Sequence, residues 1–176
     1  MAPVTTNAQN VALRFRRPRK ADGPALWALA RTNGLDENSP YAYLLWSEYF
    51  PDTTVVATSG DDDDTPVGFV TAFRRPDEPG TVFVWQVGVD RSHRRRGIAG
   101  SLLDALVAQC GADHLEATVT PTNTASETLF RRFAARHDAP VTTEALFGEE
   151  LFPPGHEAEV RFRIGPFGSA DEDMTP

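Results

Sequence analysis

The spacing of apolar positions along the chain predicts strands that alternate with helices. Leu13 and Phe15 alternate with arginines in the manner of an edge strand. Further strands are predicted at residues 53–58, 67–73, 82–89, 115–120 and 160–164. Residues 82–89 are apolar on both alternating sets, which is typical of a central strand covered on both faces. The pattern therefore predicts a sheet with this strand at its middle.

Three segments have apolar residues at helical spacing. The first helix is predicted to follow Asp22, a potential N-cap, and to end at Asn33-Gly34; the others cover residues 99–108 and 125–133. The helix at 99–108 connects the central strand to the next one, and such a crossover favours parallel pairing of the two. The sequence therefore predicts a mixed α/β sheet flanked by helices.

Two segments fit neither pattern. Residues 41–50 are unusually rich in aromatic side chains, and we interpret them as an aromatic loop that, with a hairpin before Val160, closes a compact pocket. The run of four aspartates at 61–64 is interpreted as a solvated loop and not as a metal site, because charge blocks normally remain hydrated.

Length and charge narrow the class of protein. The 176 residues fit a single domain at 11–167 between two flexible tails, residues 1–10 and the acidic residues 168–176. The 17 basic and 25 acidic residues give a net charge of −8, which disfavours nucleic acid and anionic membranes as partners. A homodimer is left open.

Cysteine and histidine usage excludes further classes. One cysteine, Cys110, cannot form an intramolecular disulfide or a thiolate zinc cluster, and it fits a reduced compartment. The four histidines have no metal-ligand spacing, so no metal site is expected. With neither a secretion signal nor an apolar run long enough to span a membrane, the expected location is the cytoplasm.

The junction between the central strand and the helix after it carries the candidate chemistry. The strand end Val87-Gly88-Val89 leads through Arg94-Arg95-Arg96 and Gly97 into the helix. Free N–H groups at a helix start bind anions, and glycine lets a diphosphate approach the backbone closely. The alternative is a solvated basic turn. The junction lacks the second glycine of a dinucleotide fingerprint and the Lys-Ser/Thr pair of a Walker loop.

This junction resembles the acetyl-coenzyme A loop of the GNAT N-acetyltransferases. Arg94-x-x-Gly97-x-Ala99 follows Val87-x-Val89, and Asn123 lies in the turn after the next strand. The resemblance implies the GNAT fold, a mixed central sheet flanked by helices, and acetyl-CoA as co-substrate. The residues that it implies for acetyl-CoA binding are Val87, Gly88, Val89, Arg94, Arg95, Arg96, Gly97, Ile98, Ala99, Gly100, Asn123 and Phe130.

A narrower resemblance covers the chain from about Arg14 to Pro166. The segments 35–46, 83–87, 118–126 and 152–160 are similar to the L-2,4-diaminobutyrate acetyltransferases of ectoine biosynthesis. This implies acetyl transfer to the 4-amino group of L-2,4-diaminobutyrate, the step that yields the precursor of a compatible solute made under osmotic stress.

A diamino acid has two ammonium groups and one carboxylate, so its pocket needs acceptors at one end and donors at the other. The candidate substrate-binding residues are Asp36, Asn38, Ser39, Tyr43, Trp85, Glu157 and Glu159. Each has an alternative role: capping or a turn for Asp36, a solvated turn for the two glutamates, and plain core packing for Trp85. If the last strand has begun at Glu157, its side chain and that of Glu159 point the same way.

The sequence departs from the GNAT pattern at Phe130, where many members have a tyrosine that acts as general acid towards the leaving thiolate. Helix N–H groups, water, Tyr41 or Tyr43 must then stabilise the thiolate. The amine must be neutral to attack. The candidate bases, in order, are Glu159, Glu157 and His156.

Two other functions compete with this hypothesis. A GNAT enzyme could acetylate another small amine or a protein amine, and the latter requires an open groove. A silent acetyl-CoA-binding module is the second alternative, since Phe130 lacks a donor.

Overall fold

The structure is a computed structural model that describes residues 13–60 and 65–168. The predicted tail 1–10, the aspartate run 61–64 and the predicted tail beyond Gly168 lie outside the described residues.

Within the described residues, seven strands and four longer helices include every strand and helix that the sequence predicts. The strands are β1 Leu13–Arg16, β2 Thr54–Ser59, β3 Pro66–Arg74, β4 Thr81–Val89, β5 His114–Val119, β6 Val141–Phe147 and β7 Glu159–Ile164. The helices are α1 Gly23–Asn33, α2 Pro40–Tyr49, α3 Ile98–Cys110 and α4 Thr124–Arg136.

All strands belong to one sheet in the order β1-β2-β3-β4-β5-β7-β6. Among the described strands, β4 and β5 are the one parallel pair, and helix α3 is the crossover between them. The predicted mixed sheet, its central strand β4 and its parallel pair are therefore confirmed.

Strands β4 and β5 separate half-way along their length. Their pairing covers Thr81–Phe83 and His114–Glu116, although β4 continues to Val89 and β5 to Val119. Thr71 pairs with Gln86 while Ala72 pairs with Val84, so Trp85 is the extra residue of a β-bulge that bends the strand. The gap that opens between the two strands is the origin of the site described below.

The sheet is packed on both faces. On one face, α3 contributes Leu102, Leu103 and Leu106, all fully buried, and α4 adds Phe133. On the other face, α1 packs Leu26 against β2 and β3. Each fully buried leucine contributes about 1.5–3 kcal/mol to folding. These two packed layers support β3 and β4 from both faces of the sheet, and β4 borders the gap.

Residues 41–50 were expected to form a loop, and this is wrong because most of them form helix α2. The preceding Ser39-Pro40 explains the difference. Ser39 is the N-cap, whose side chain accepts a hydrogen bond from the Tyr41 N–H (3.2 Å), and Pro40 occupies the first helical turn. The aromatic residues lie on more than one face of the helix, so they obscure its period.

Three smaller expectations also need correction. Asp22 stands before α1, but its side chain accepts hydrogen bonds from Arg16 and from the Arg19 N–H instead of capping that helix. Strand β6 was not predicted from the sequence. All of its residues except Val141 are exposed, and its polar and apolar residues do not alternate. Strand β4 is not covered on both faces, since Trp85 remains 49% exposed at the gap.

Candidate active site

The loop from β4 to α3 forms an open anion cradle. Gly97 adopts a left-handed conformation (φ 76°) as the N-cap of α3, which receives no side-chain cap. The first helical hydrogen bond runs from the Ser101 N–H to the Gly97 carbonyl (3.1 Å). The N–H groups of Ile98, Ala99 and Gly100 therefore have no carbonyl of their own helix, and their partial positive charge favours a bound anion.

A cavity of about 470 Å3 lies beside this cradle and is lined by His93 and by four arginines. The arginines are Arg94, Arg95, Arg132 and Arg136. Arg94 is held by the Asn33 side chain (2.7 Å) and Arg136 by Asp104 (2.9 Å). Within the described residues, Arg95 and Arg132 have no ion pair, so positive charge is available to an anionic ligand.

Two features of this cavity differ from the sequence-based expectation. Arg96 is exposed and is not one of the lining residues. Arg132 and Arg136 were not predicted, although they lie on the helical stripe of α4 that also contributes Ala125, Thr128 and Leu129. Reading charge along that stripe would have found them.

A second cavity of about 460 Å3 continues along β4 towards the gap. It is lined by Val87, Gly88 and Val89 on one side and by the start of α4 on the other. Asn123 is the N-cap of that helix, and its Oδ1 accepts from the Ser126 N–H (3.1 Å). Asn123 therefore lines this cavity, and its local role is to fix the first turn of α4.

The gap between β4 and β5 holds a third, smaller cavity of about 190 Å3. Its polar lining consists of Asp36, Gln86, Thr118, Thr120, Asn123, Ser126, His156 and Glu159. It opens into an outer cavity of about 510 Å3 with which it shares Asp36, Trp85, Gln86, Thr118 and Glu159. We call the smaller one the inner acceptor cavity.

Asp36 lines both acceptor cavities. Its backbone carbonyl accepts from Gln86 Nε2 (3.0 Å), which holds the loop, while its carboxylate has no hydrogen bond or ion pair within the described residues. Ser39, and not Asp36, caps the following helix. Asn38 lines the outer cavity, whereas Ser39 lines neither acceptor cavity.

The two candidate glutamates have different positions. Strand β7 begins at Glu159, so Glu157 precedes it and the alternation argument does not apply to this pair. Glu157 accepts a hydrogen bond from Thr122 and lines none of the cavities described above. Glu159 lines both acceptor cavities, and its Oε2 is buried without a hydrogen-bond partner within the described residues.

His156 lines the inner acceptor cavity and stacks on Phe152, with 4.0 Å between ring centroids. Its Nδ1 lies 2.6 Å from the Glu157 carbonyl. A carbonyl can only accept, so Nδ1 carries the proton and Nε2 of the neutral ring is an acceptor.

The tyrosines do not reach the inner acceptor cavity. Tyr41 is 64% exposed on α2 and lines none of the cavities, so its predicted catalytic role is wrong in this geometry. Tyr43 is buried and donates to Gln86 Oε1 (2.7 Å). Burial raises the pKa of Tyr43, so it remains protonated and positions Gln86. Trp85 packs against Trp46 (5.2 Å) and forms a cavity wall, which rules out plain core packing.

Known proteins with similar sequences were compared with this chain. The sequence model of the Acetyltransferase (GNAT) family matches residues 24–135. L-2,4-diaminobutyric acid acetyltransferases from Streptomyces anulatus (47% identity) and Marinococcus halophilus (45%) align over 92% of this chain and 94% and 95% of their own lengths. The chain belongs to the L-2,4-diaminobutyric acid acetyltransferases of the GNAT family. The GNAT fold and the enzyme class predicted from the sequence are thereby confirmed.

A solved structure of the same family is similar over nearly the whole chain. It is the diaminobutyrate acetyltransferase EctA from Paenibacillus lautus in complex with L-2,4-diaminobutyric acid and coenzyme A. The two chains share 43% identity and a TM-score of 0.83, with 93% of this chain and 100% of that chain covered.

The departure from the GNAT tyrosine is structurally real. Phe130 is buried on α4, lies 6.4 Å from the Phe162 ring between centroids and lines the inner acceptor cavity. It supplies shape and no donor, so this member of the family must stabilise its leaving thiolate with another group.

Residues 13–60 and 65–168 show neither a membrane-spanning helix nor a metal-binding cluster. No helix there is long and apolar enough to cross a membrane. No group of three or more His, Cys, Asp or Glu side chains in that part of the chain could hold a metal ion.

Proposed function

We propose that this protein transfers the acetyl group of acetyl-CoA to the 4-amino group of L-2,4-diaminobutyrate. The product, N4-acetyl-L-2,4-diaminobutyrate, is the precursor of ectoine. The two cavities of about 470 and 460 Å3 together form what we call the cofactor channel. The observation that carries the proposal is that this arginine-lined channel meets the inner acceptor cavity, which is lined by two carboxylates without an ion pair in the part of the chain that the structure describes, Asp36 and Glu159. Two carboxylates match the two ammonium groups of this substrate.

The residues of the cofactor channel fit acetyl-CoA. The cradle at Gly97–Gly100 and the side chain of Arg95 suit its diphosphate, and the apolar wall at 87–89 suits an extended chain that leads to the gap. When bound, acetyl-CoA supplies the activated acetyl thioester.

We assign the acceptor residues by their chemistry. Glu159 accepts a proton from the 4-ammonium group, because it lines the inner acceptor cavity and its buried Oε2 has no hydrogen-bond partner within the described residues. Asp36 binds the 2-ammonium group, and the hydroxyls of Thr118 and Thr120 can donate to the substrate carboxylate. Trp85 closes the wall of the cavity.

Several expectations remain proposals about the whole protein. Its net charge of −8 supports the absence of nucleic acid and anionic membranes among its partners. A homodimer, a cytoplasmic location and a single domain over residues 11–167 stay predictions.

Substituting aspartate for Gly97 should weaken acetyl-CoA binding. The new carboxylate would face the diphosphate, and we expect calorimetric affinity to fall by at least about 10-fold. Gly97→Asn is the matched control, because it imposes the same strain at φ 76° without a charge. Equal affinities of the Asp and Asn variants would contradict the placement of the diphosphate.

Turnover of three diamino acids tests the proposed function. With L-2,4-diaminobutyrate, product NMR should show the 4-acetyl isomer almost alone. Ornithine and 2,3-diaminopropionate should react about 100-fold more slowly, because a fixed carboxylate end displaces their terminal nitrogen by one methylene.

Other outcomes point to the competing functions. Equal rates for the three diamines, or mainly the 2-acetyl isomer, would favour an acetyltransferase of other small amines. Acetylation of peptides in preference to all three would favour a protein substrate. Binding of acetyl-CoA without any transfer would favour a silent module.

A further inference from the structure

The cofactor channel and the inner acceptor cavity meet at four residues. The side chains that line both are Leu35, Val87, Asn123 and Ser126. An acetyl group that passes from the channel to an amine must cross this junction, so the thioester sulfur has to lie beside it.

Two side chains at the junction are hydrogen-bond donors, and one of them is free of a local role. Leu35 and Val87 are apolar, and Asn123, although it keeps its Nδ2 donors, is fixed at the helix start because its Oδ1 accepts from the Ser126 N–H (3.1 Å). The Ser126 hydroxyl is the single hydroxyl among these four and has no hydrogen-bond partner within the described residues. It lies half-buried in the first turn of α4.

Ser126 also lies on the same face of the helix as Phe130. The two are four residues apart, which is one helical turn, and both line the inner acceptor cavity. The hydroxyl therefore lies one helical turn from Phe130, whose side chain has no hydrogen-bond donor. The positive end of the α4 dipole reinforces any donor in this turn.

We propose that the Ser126 hydroxyl donates a hydrogen bond to the thioester sulfur as the carbon–sulfur bond breaks, and this proposal rests on the proposed function. The electron pair of that bond stays on sulfur, and the bond that forms joins the amine nitrogen to the acetyl carbon. Ser126 keeps its proton, since an alcohol is a much weaker acid than a thiol. The ammonium loses two protons in all: Glu159 takes the first before the amine attacks. The second leaves the nitrogen once the new bond has formed and reaches the departing thiolate through water.

Ser126→Ala is the direct test, and it preserves the helix start because Asn123 binds the backbone N–H and not the hydroxyl. We expect kcat to fall by about 100-fold, the usual loss when one donor to a developing anion is removed. Acetyl-CoA affinity measured by calorimetry should change by less than about twofold, because the interaction strengthens only in the transition state. Ser126→Thr should keep most of the activity.

Thr124→Ala is the matched control. It removes a hydroxyl from the first turn of the same helix, at an exposed position that lines none of the cavities. Its kcat should equal that of the unsubstituted enzyme.

Two results would overturn the proposal. A Ser126→Ala kcat within about twofold of the unsubstituted enzyme would show that the hydroxyl contributes nothing to the transition state. A parallel loss of acetyl-CoA affinity would make Ser126 a binding residue. If the unsubstituted enzyme fails to acetylate diaminobutyrate, the proposed function falls, and the comparison is repeated with the amine that it does accept.

Discussion

Glu159→Gln is expected to lower kcat for diaminobutyrate by about 1,000-fold while leaving acetyl-CoA affinity unchanged. The 4-amino group is largely protonated near neutral pH and must lose a proton before it attacks. Glu159 lines the inner acceptor cavity, and its buried Oε2 has no hydrogen-bond partner within the described residues. Glutamine keeps the size and polarity of the side chain but cannot accept a proton.

The pH dependence separates this role from a structural one. As pH rises towards the pKa of the free amine, a growing fraction of substrate needs no base. The deficit of Glu159→Gln should therefore shrink with rising pH, and a stopped assay of kcat between pH 7 and about 9.5 would detect it. A deficit that is constant with pH would indicate a binding or folding defect.

Control variants decide between the neighbouring candidates. Glu144→Gln, on the adjacent strand β6, removes an exposed carboxylate that pairs with Arg161 and should leave kcat unchanged. If His156→Asn abolishes activity and Glu159→Gln does not, the proton acceptor is the imidazole Nε2. Glu157→Gln should have the smaller effect of loosening the contact with Thr122.

Structural features formed by residues that are adjacent in the chain could be predicted from the sequence. The cradle depends on one strand, a glycine and the helix start after it, and Asn123 caps the helix that it precedes in the chain. Local hydrogen bonds and backbone conformations determine both, so spacing alone is informative.

Features that depend on long-range packing could not be predicted. Which of Glu157 and Glu159 faces the cavity depends on the residue at which β7 begins to pair with β5. Trp85 owes its exposure to a bulge against β3, and residue spacing does not reveal the bulge. Tyr41 looked suitable as an acid, but the helix formed after Ser39 points it into solvent.

The same long-range packing creates a buried charge that lies outside the active site. Glu116 on β5 is 1% exposed, and its carboxylate accepts from Arg75 (3.1 Å) and Arg163 (2.6 Å). Arg163 also binds Glu78, and that hydrogen bond, together with one from Thr81, lowers the pKa of Glu78 to about 2. The network ties β5 and β7 to the turn before β4 at the paired end of the two parallel strands.

Arg163→Met should destabilise the fold by about 3 kcal/mol, because it leaves the buried Glu116 carboxylate with one cation in place of two. The measurement is urea unfolding followed by circular dichroism, with an unchanged m-value showing that the same amount of surface is exposed on unfolding. Arg161→Met is the matched control on the same strand. Its partner Glu144 is exposed, so the expected cost is below about 1 kcal/mol.

A second substitution distinguishes a stranded charge from lost packing. Adding Glu116→Leu to Arg163→Met removes the carboxylate that the single variant leaves undercompensated, and it should restore most of the lost stability. If the double variant instead has a lower free energy of unfolding than Arg163→Met, the attraction between Glu116 and its arginines stabilises the sheet. Recovery would mean that the two arginines serve to neutralise Glu116. The stability of the paired ends of β4 and β5, next to the gap, would then depend on the balance of charge around Glu116.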